Sequence, residues 1–428
     1  MRVLVIGGGA REHAVVARLA SDRDVGELVC APGNPGIARI ARTIPCDISN
    51  PDAVLDLALR EQIDFTVVGP ELPLSVGIAD RFATANRLLF GPAAGAARLE
   101  SSKAFAKAFM ARYSVPTARF HTSDTLGDAL RAVRSGEFGW PVVLKADGLA
   151  SGKGVVIADD RQAAEGAIFA AMEERKFGAA GERLVIEECL SGPEVSFFAV
   201  CDGARAVPIG SAQDHKRIFD DDRGPNTGGM GAFAPSPLIG ADSALEHRVM
   251  REIVDPVIAG MAKEGHPFRG FLFVGLMLTA AGPKVIEFNV RLGDPETQAM
   301  LTLIDEPLLP ILVAGATGEL RQSSIRIGGE CVVGVVMASR GYPVSAESGR
   351  LISGVEAAEM IPGVAVYHAG TALRDGQLVT AGGRVLTVAG RGADFAEAIT
   401  RAYAGVMQIS FDGMQYRRDI GKKALMPL

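Results

Sequence analysis

Residues 1 to about 100 alternate short apolar strands with amphipathic helical stretches, and this alternation restricts the fold more than any other feature of the chain. Val3–Ile6 runs into Gly7-Gly-Gly-Ala-Arg-Glu-His13, and a helix is predicted through Leu19. Glu27–Ala31 reads as a second strand, Pro51–Arg60 as a helix, and Ile63–Val68 as a further strand stopped by Gly69-Pro70. Strands separated by helical crossovers pair in parallel, and parallel sheets are covered on both faces. The expectation is an α/β chain that opens with a doubly wound parallel-sheet domain. Such sheets bind ligands beyond the carboxyl ends of their strands. Three loops fall there and are placed to share one pocket: the glycines before His13, Gly33-Asn34-Pro35-Gly36, and Gly69-Pro70-Glu71.

At 428 residues the chain exceeds one ordinary core, and about three domains are expected. Residues 101–113 form a helix with a serine near its start. A compact module then follows Pro116: strand, helix (about 124–134), strand Val142–Lys145, glycine-rich turn, strand Val155–Ala158, helix (about 161–175), strand Leu184–Glu188. The polar, glycine-rich stretch 210–237 shows little periodicity and is long for a connector, which marks it as a functional loop or a disordered one. Past about 325 the texture turns β-rich, with Cys331–Ala338, Val364–Gly370 and Arg384–Val388 as strands and a helix near 394–407. That is the pattern of a C-terminal α+β domain. The expected boundaries are 1–103, 104–325 with the small module at about 120–190, and 326–428.

A formal charge of −6 gives no footprint for nucleic acid or an anionic membrane, so any positive charge that binds phosphates must be local. The five cysteines are scattered without CxxC spacing, as expected of reduced thiols rather than a zinc site or disulfide framework. No apolar run approaches membrane-spanning length, and Met1–Ile6 breaks into glycines too soon for a signal peptide.

The most chemically pointed segment is Lys284-Val-Ile-Glu-Phe-Asn-Val-Arg-Leu-Gly-Asp-Pro-Glu296. Strand alternation puts Ile286, Phe288 and Val290 on a core face and Glu287, Asn289 and Arg291 on the other. A carboxylate and an amide oxygen suit Mg²⁺, which takes one or two protein oxygens and completes its shell with nucleotide phosphates. An arginine adds a forked donor for a phosphate or carboxylate. The plain alternative is a solvated strand face with an incidental ion pair.

Other motifs divide in the same way. The glycine loop before His13 offers backbone donors at a helix N-terminus, for a phosphate or ribose-phosphate or simply for a tight turn. Glu12 stands where a dinucleotide fingerprint needs its third glycine, which disfavours NAD. Lys145-Ala-Asp-Gly-Leu-Ala-Ser-Gly-Lys-Gly154 is not a Walker A loop, yet a glycine-rich hairpin with a lysine at its base can close over phosphates. Glu187 and Glu188 end an apolar strand, and with Glu194 they suit an adenine amine and ribose hydroxyls, or else a solvated strand end. Gln213-Asp-His-Lys-Arg217 and Gly224-Pro-Asn-Thr-Gly-Gly-Met-Gly231 combine cations with a backbone loose enough to close over substrate. His121, His247, His266 and His368 stand alone in the sequence, and no nucleophile–base arrangement is evident.

In order and spacing, Lys103, Lys145, Glu187–Leu190 with Glu194, and Glu287-x-Asn289-x-Arg291 resemble the ATP-grasp superfamily. More narrowly, the motifs at 7–13, 213–217, 224–231 and Arg291-Leu-Gly-Asp-Pro-Glu-Thr-Gln298 resemble the glycinamide ribonucleotide synthetase (phosphoribosylamine–glycine ligase) family, over essentially the whole chain. The resemblance implies a central ATP-grasp domain with a mobile lid. It implies ATP held by Lys103, Lys145, Gly152, Lys153, Gly154, Glu187, Glu188, Leu190 and Glu194, with Mg²⁺ or Mn²⁺ on Glu287 and Asn289. Glycine and 5-phosphoribosylamine would meet Gly8, Gly9, Arg11, Glu12, Asn34, Pro35, Gly36, Glu71, Asp214, Lys216, Asn226, Thr227, Gly228, Gly229, Arg291, Gly293 and Asp294. Arg291, Lys145 and Asp294 would carry the chemistry. Many members of the superfamily bear a further acidic metal ligand before the Glu-x-Asn pair. Here that region is Phe273–Met277, so a two-metal site built from protein acids is not expected. The resemblance also implies a cytoplasmic monomer or small homo-oligomer whose partners are small molecules, not nucleic acid or membrane.

Overall fold

The computed structural model describes residues 1–148, 154–240 and 243–426. Its first hundred residues build a five-stranded sheet in the order Arg42–Thr43, Glu27–Pro32, Arg2–Gly7, Phe65–Val68, Leu89–Phe90, parallel throughout. Val3 to Ile6 have no exposed surface, because helices cover both faces of the sheet. The helix Ala10–Ala20 follows the first strand, and Pro51–Arg60 is capped by Asn50, whose side chain accepts from the amides of Asp52 and Ala53. Strand order reverses around Arg2–Gly7, so the glycine loop sits at the topological switch point of the sheet.

The module after Pro116 is a four-stranded antiparallel sheet in the order Phe120–Ser123, Leu184–Glu188, Val142–Ala146, Val155–Ala158. Helices Leu126–Arg134 and Arg161–Met172 bury Ala129, Val133, Ala164 and Ile168 against it. Ahead of it the predicted 101–113 helix is present as Lys103–Arg112, and a separate helix, Ala94–Ser101, leads into it. The break is at Ser102, whose extended backbone lets its hydroxyl cap the second helix.

An eight-stranded antiparallel sheet occupies the rest: Gly282–Asn289, Arg269–Thr279, Glu194–Asp202, Ala206–Asp214, Gly231–Ala234, Cys331–Ala338, Arg384–Gly392, Val364–His368. Three strands beyond residue 330 thus extend the central sheet, joined through Gly231–Ala234, while Thr371–Arg374 and Gln377–Thr380 pair as a separate hairpin. The stretch 210–237 is accordingly not an unstructured loop. It ends one strand at Asp214, makes the hairpin Arg217–Phe219/Arg223–Asn226, and supplies the four buried residues Gly231–Ala234. Both large cores mix residues of the first sheet with residues of the central one, Leu4 and Ile6 packing with Phe197 and Val285. No described helix is long and apolar enough to cross a membrane, and all five cysteines are free thiols.

Candidate active site

The late strand Gly282–Asn289 meets the four-stranded module, the lid, through Lys145 and Ile286, and meets the carboxyl end of the first sheet through Arg291 and Glu71. The late strand differs from simple alternation at one point. Glu287 pairs with Gly275 but Val285 with Leu276, so Ile286 is the extra residue of a β-bulge. Val285, Phe288 and Val290 enter the core at 0%, 2% and 2% exposure, whereas Ile286 is only half-buried. The bulge therefore corrects the expected core face and leaves Glu287 and Asn289 on the cleft side, as the sequence suggested.

Burial alone would raise the Glu287 carboxyl, but Lys216, Lys145, Lys103 and Arg291 outweigh it and hold the group below its ordinary range. Glu287 is therefore ionised at neutral pH. The amide oxygen of Asn289 accepts from Arg291 at 3.0 Å. Two hard oxygen donors on one strand face fit a divalent cation that shares its shell with phosphates. Among the described residues no group of three or more His, Cys, Asp or Glu gathers for a metal, so nucleotide or water oxygens would supply most of such a shell.

On the lid side, Lys103 donates to the carbonyl of Gly148 at 3.0 Å. Lys145 donates to the carbonyl of Ile286 at 3.0 Å and pairs with Glu187 Oε1 at 3.1 Å. Glu187 Oε2 pairs with Lys107 at 2.9 Å. Burial pushes Lys107 down to about 8, with Glu187 opposing the shift. Glu187 thus faces inward, while Oε1 keeps capacity for a further hydrogen bond. Glu188 points the other way, to Arg119 at 2.8 Å and Lys284 at 3.3 Å. Leu190 is half-buried beyond the strand end, and Gly154 is buried with its carbonyl accepting from Ala146. Gly152 and Lys153 lie outside the described residues.

Glu194 pairs with Lys216 at 2.9 Å. Burial lowers Lys216, but Asp214, Glu194 and Glu287 reverse the effect and raise it well above its usual value. Thr227 folds its amide and hydroxyl onto the Lys216 carbonyl, both at 2.8 Å, and the Gly229 amide donates to the Thr227 hydroxyl. Asn226 stays exposed at the start of that loop.

At the first sheet, Gly7 has φ +126°, and a Cβ on Gly8 would lie 2.6 Å from the Gly33 carbonyl oxygen, so both positions require glycine. Glu12 turns back to cap the helix, accepting from the Gly9 amide at 2.7 Å and from Arg11 at 2.6 Å. It shapes the loop more than it presents a free carboxylate. Asn34 ties the Gly8 carbonyl to that of His368, while Gly36 backs onto the His13 and His368 rings, with Pro35 between them in the loop. Asp294 accepts from Arg384 at 2.9 Å and from Gln298 at 2.7 Å. Burial raises Asp294, but Arg384, Arg11 and Arg291 prevail and keep it low. The Gly293 carbonyl accepts from Thr297.

Arg291 departs from the reading of a free donor. Its Nε meets Glu71 at 3.2 Å, Nη2 meets Glu100 at 2.7 Å and Asn289, and Nη1 meets the Leu292 carbonyl at 3.2 Å. Glu100 was missed because a lone acid on a helix reads as solvated. Here its side chain is only 8% exposed, and its other oxygen accepts from the Val290 amide at 2.8 Å. Also missed were Lys107, Arg384, Ser196 and Glu296. Ser196 donates to Glu296 at 3.0 Å, and burial beside Asp214 pushes Glu296 up to about 7. Of these, Glu296 alone lay within a quoted motif. His368, solitary in sequence, receives an Asn34 contact on its carbonyl and gives its amide to His13 at 2.8 Å.

Known proteins share this fold. A crystal structure of the biotin carboxylase domain of Hydrogenobacter thermophilus 2-oxoglutarate carboxylase, in complex with MgADP, superposes with a TM-score of 0.73 over 97% of this chain and 91% of that one. At 20% identity that likeness concerns the fold. Residues 101–297 match the phosphoribosylglycinamide synthetase ATP-grasp (A) domain. The class is thus the ATP-grasp ligases, enzymes that use ATP with divalent metal ions.

The likeness extends beyond that domain. Residues 1–100 and 332–423 match the N and C domains of phosphoribosylglycinamide synthetase. A phosphoribosylamine–glycine ligase of Xylella fastidiosa is 48% identical over 100% of this chain and 99% of its own length. The crystal structure of the Thermotoga maritima phosphoribosylamine–glycine ligase superposes with a TM-score of 0.84 at 36% identity, covering 98% of this chain and 100% of that one. The chain belongs to the phosphoribosylglycinamide synthetase family.

Proposed function

We propose that this chain joins glycine to 5-phosphoribosylamine at the expense of ATP, giving glycinamide ribonucleotide, ADP and phosphate in de novo purine synthesis. The observation that carries the reading is the half-buried, ionised Glu287, faced by Lys103, Lys145, Lys216 and Arg291 and followed by Asn289 on the same strand.

The first step makes an acyl phosphate. A glycine carboxylate oxygen attacks the γ-phosphorus of ATP, and the bond to the β-phosphate oxygen breaks with its electron pair leaving on ADP. Such transfers need charge neutralisation and alignment more than covalent help. Lys103 and Lys145 supply positive charge from the lid side, and Glu187, Glu188, Leu190 and Glu194 border the place for adenine and ribose. Glu287 and Asn289 would hold Mg²⁺ or Mn²⁺, which when bound neutralises charge on the triphosphate. The ribosylamine nitrogen then attacks the glycyl carbon, phosphate leaves with the C–O electron pair, and the amine sheds a proton. Asp294, ionised beside Gly9, is placed to orient an amino group. Arg291 reaches a substrate anion by exchanging one of its acid partners. Holding three reactants together can contribute about 7–11 kcal/mol. The 210–231 segment would exclude the water that destroys acyl phosphates, a role also expected of the 145–154 turn, whose residues 149–153 lie outside the described ones.

We assign the ribose phosphate to the loops Gly8–Glu12, Asn34–Gly36 and Glu71, and glycine to Asp214, Lys216, Asn226–Gly229 and Gly293. The proposed domain limits are 1–103, 104–325 and 326–428, in a cytoplasmic monomer or small homo-oligomer. The test is incubation of the full chain with ATP, phosphoribosylamine and, in turn, glycine, formate and bicarbonate. Glycine-dependent release of ADP with formation of glycinamide ribonucleotide is expected. ADP release with formate or bicarbonate but not glycine would reject the assignment.

A further inference from the structure

Lys107 lies one helical turn beyond Lys103 on Lys103–Arg112 and is 2% exposed. Its ammonium meets Glu187 Oε2 at 2.9 Å, the Thr117 hydroxyl at 2.8 Å and the face of Phe120 at 5.7 Å. Glu187 and Thr117 both lead on to the strand that carries Glu287. Glu187, itself 3% exposed, reaches Lys145 with its other oxygen, and Lys145 donates to the Ile286 carbonyl. The Thr117 hydroxyl donates to the Val285 carbonyl at 2.7 Å. Having given its proton there, it has only lone pairs to offer Lys107, so the hydrogen-bond directions are consistent around the circuit. Both branches end on the backbone of the bulge immediately before Glu287. They also cross from the helix to both flanks of the lid, through Thr117 on one side and through Glu187 and Lys145 on the other.

We infer that Lys107 is a positioning residue for the nucleotide site: by holding Glu187 and Thr117 it keeps the Lys145 ammonium and the Val285–Glu287 backbone in one register. The inference rests on the function proposed above. Its electrostatic reason is simple. In a buried site a lone Glu187–Lys145 pair would be strongly self-satisfied, because low dielectric strengthens the attraction and removes competing water. Lys107 already compensates Glu187, so Lys145 keeps a surplus of positive charge to give to a phosphate. A buried pair with no such role would affect every substrate alike.

The test uses the full chain carrying Lys107→Met. Binding of a non-hydrolysable ATP analogue with Mg²⁺ is measured by calorimetry, and Michaelis constants are measured for ATP, glycine and phosphoribosylamine. The expected result is nucleotide affinity weakened about tenfold or more while the other two constants stay within about twofold. In the double variant Lys107→Met/Glu187→Gln, where no unpaired carboxylate captures Lys145, part of the nucleotide affinity returns. Unchanged nucleotide affinity, or an equal rise in all three Michaelis constants, overturns the inference. If Lys107→Met does not fold, Lys107→Gln is held to the same criteria, since it removes the charge while keeping a polar side chain beside Glu187 and Thr117. Failure of the wild-type chain to release ADP with glycine would sink the proposed reaction, yet the calorimetric comparison would still judge Lys107.

Discussion

Two ion networks flank Glu287, and they are opposite in charge balance. On the lid side two lysines, Lys107 and Lys145, share one carboxylate, Glu187. On the side of the first sheet two arginines, Arg11 and Arg291, share three, Glu12, Glu71 and Glu100. The first has a cation in excess and suits a polyphosphate. The second has an anion in excess and tolerates an incoming amine, while its arginines are exchangeable for a substrate anion. One strand therefore stands at the boundary between a region built to hold ATP and a region built to hold the molecules ATP activates.

Substitutions can break this contrast, the largest effect first. Glu287→Gln should lower turnover about 10²–10³-fold with little change in thermal unfolding, since it removes the charge on which both networks converge. Steady-state turnover beside a melting curve checks it, and retained activity at ordinary Mg²⁺ would refute the metal assignment. Lys145→Ala should raise the Michaelis constant for ATP about tenfold or more and leave phosphoribosylamine nearly untouched. Glu100→Gln should do the reverse, with a change of about threefold to tenfold in the phosphoribosylamine constant, because Arg291 would lose its shortest acid contact. If each variant disturbed both substrates equally, the two regions would not be functionally distinct.

The smallest expected difference between variants concerns a control outside both networks. Burial holds His13 down to about 3 and His215 and His368 down to about 4, so all are neutral in the folded state. Their folded values lie below the unfolded value near 6.5, so the unfolded chain binds protons first as pH falls. The stability they contribute is complete above about pH 6.5 and is lost on descent toward pH 4, on the order of several kcal/mol in all. Urea unfolding from pH 7.5 to 4.5 measures it. The Lys145→Ala variant should show the same slope as the wild type.

Legibility in the sequence followed the range of the interactions. The parallel sheet, the lid strands at 142 and 184 and the strand carrying Glu287 were readable, because apolar periodicity and glycine punctuation are local signals. The bulge at Ile286 was not, since it is set by the partner strand at Gly275 and Leu276. The buried strand Gly231–Ala234 was missed for a similar reason. Gly-Ala-Phe-Ala is too short to show a clear alternation, and its second partner strand lies about a hundred residues later, with Ala234 opposite Val332. Glu100, Lys107 and Arg384 each look like ordinary surface charge along the chain. They become site residues only when distant elements bring Arg291, Glu187 and Asp294 against them.

The claim beneath all of this is that Glu287 and Asn289 grip the cation of a metal–nucleotide complex. Anomalous scattering from crystals grown with Mn²⁺ and a non-hydrolysable ATP analogue addresses it directly. The expected result is a peak about 2.1 Å from a Glu287 carboxylate oxygen and from Asn289 Oδ1, with phosphate oxygens on its remaining sides. Ordered nucleotide in the cleft with the metal bound elsewhere, and neither side chain within reach of it, would contradict the claim.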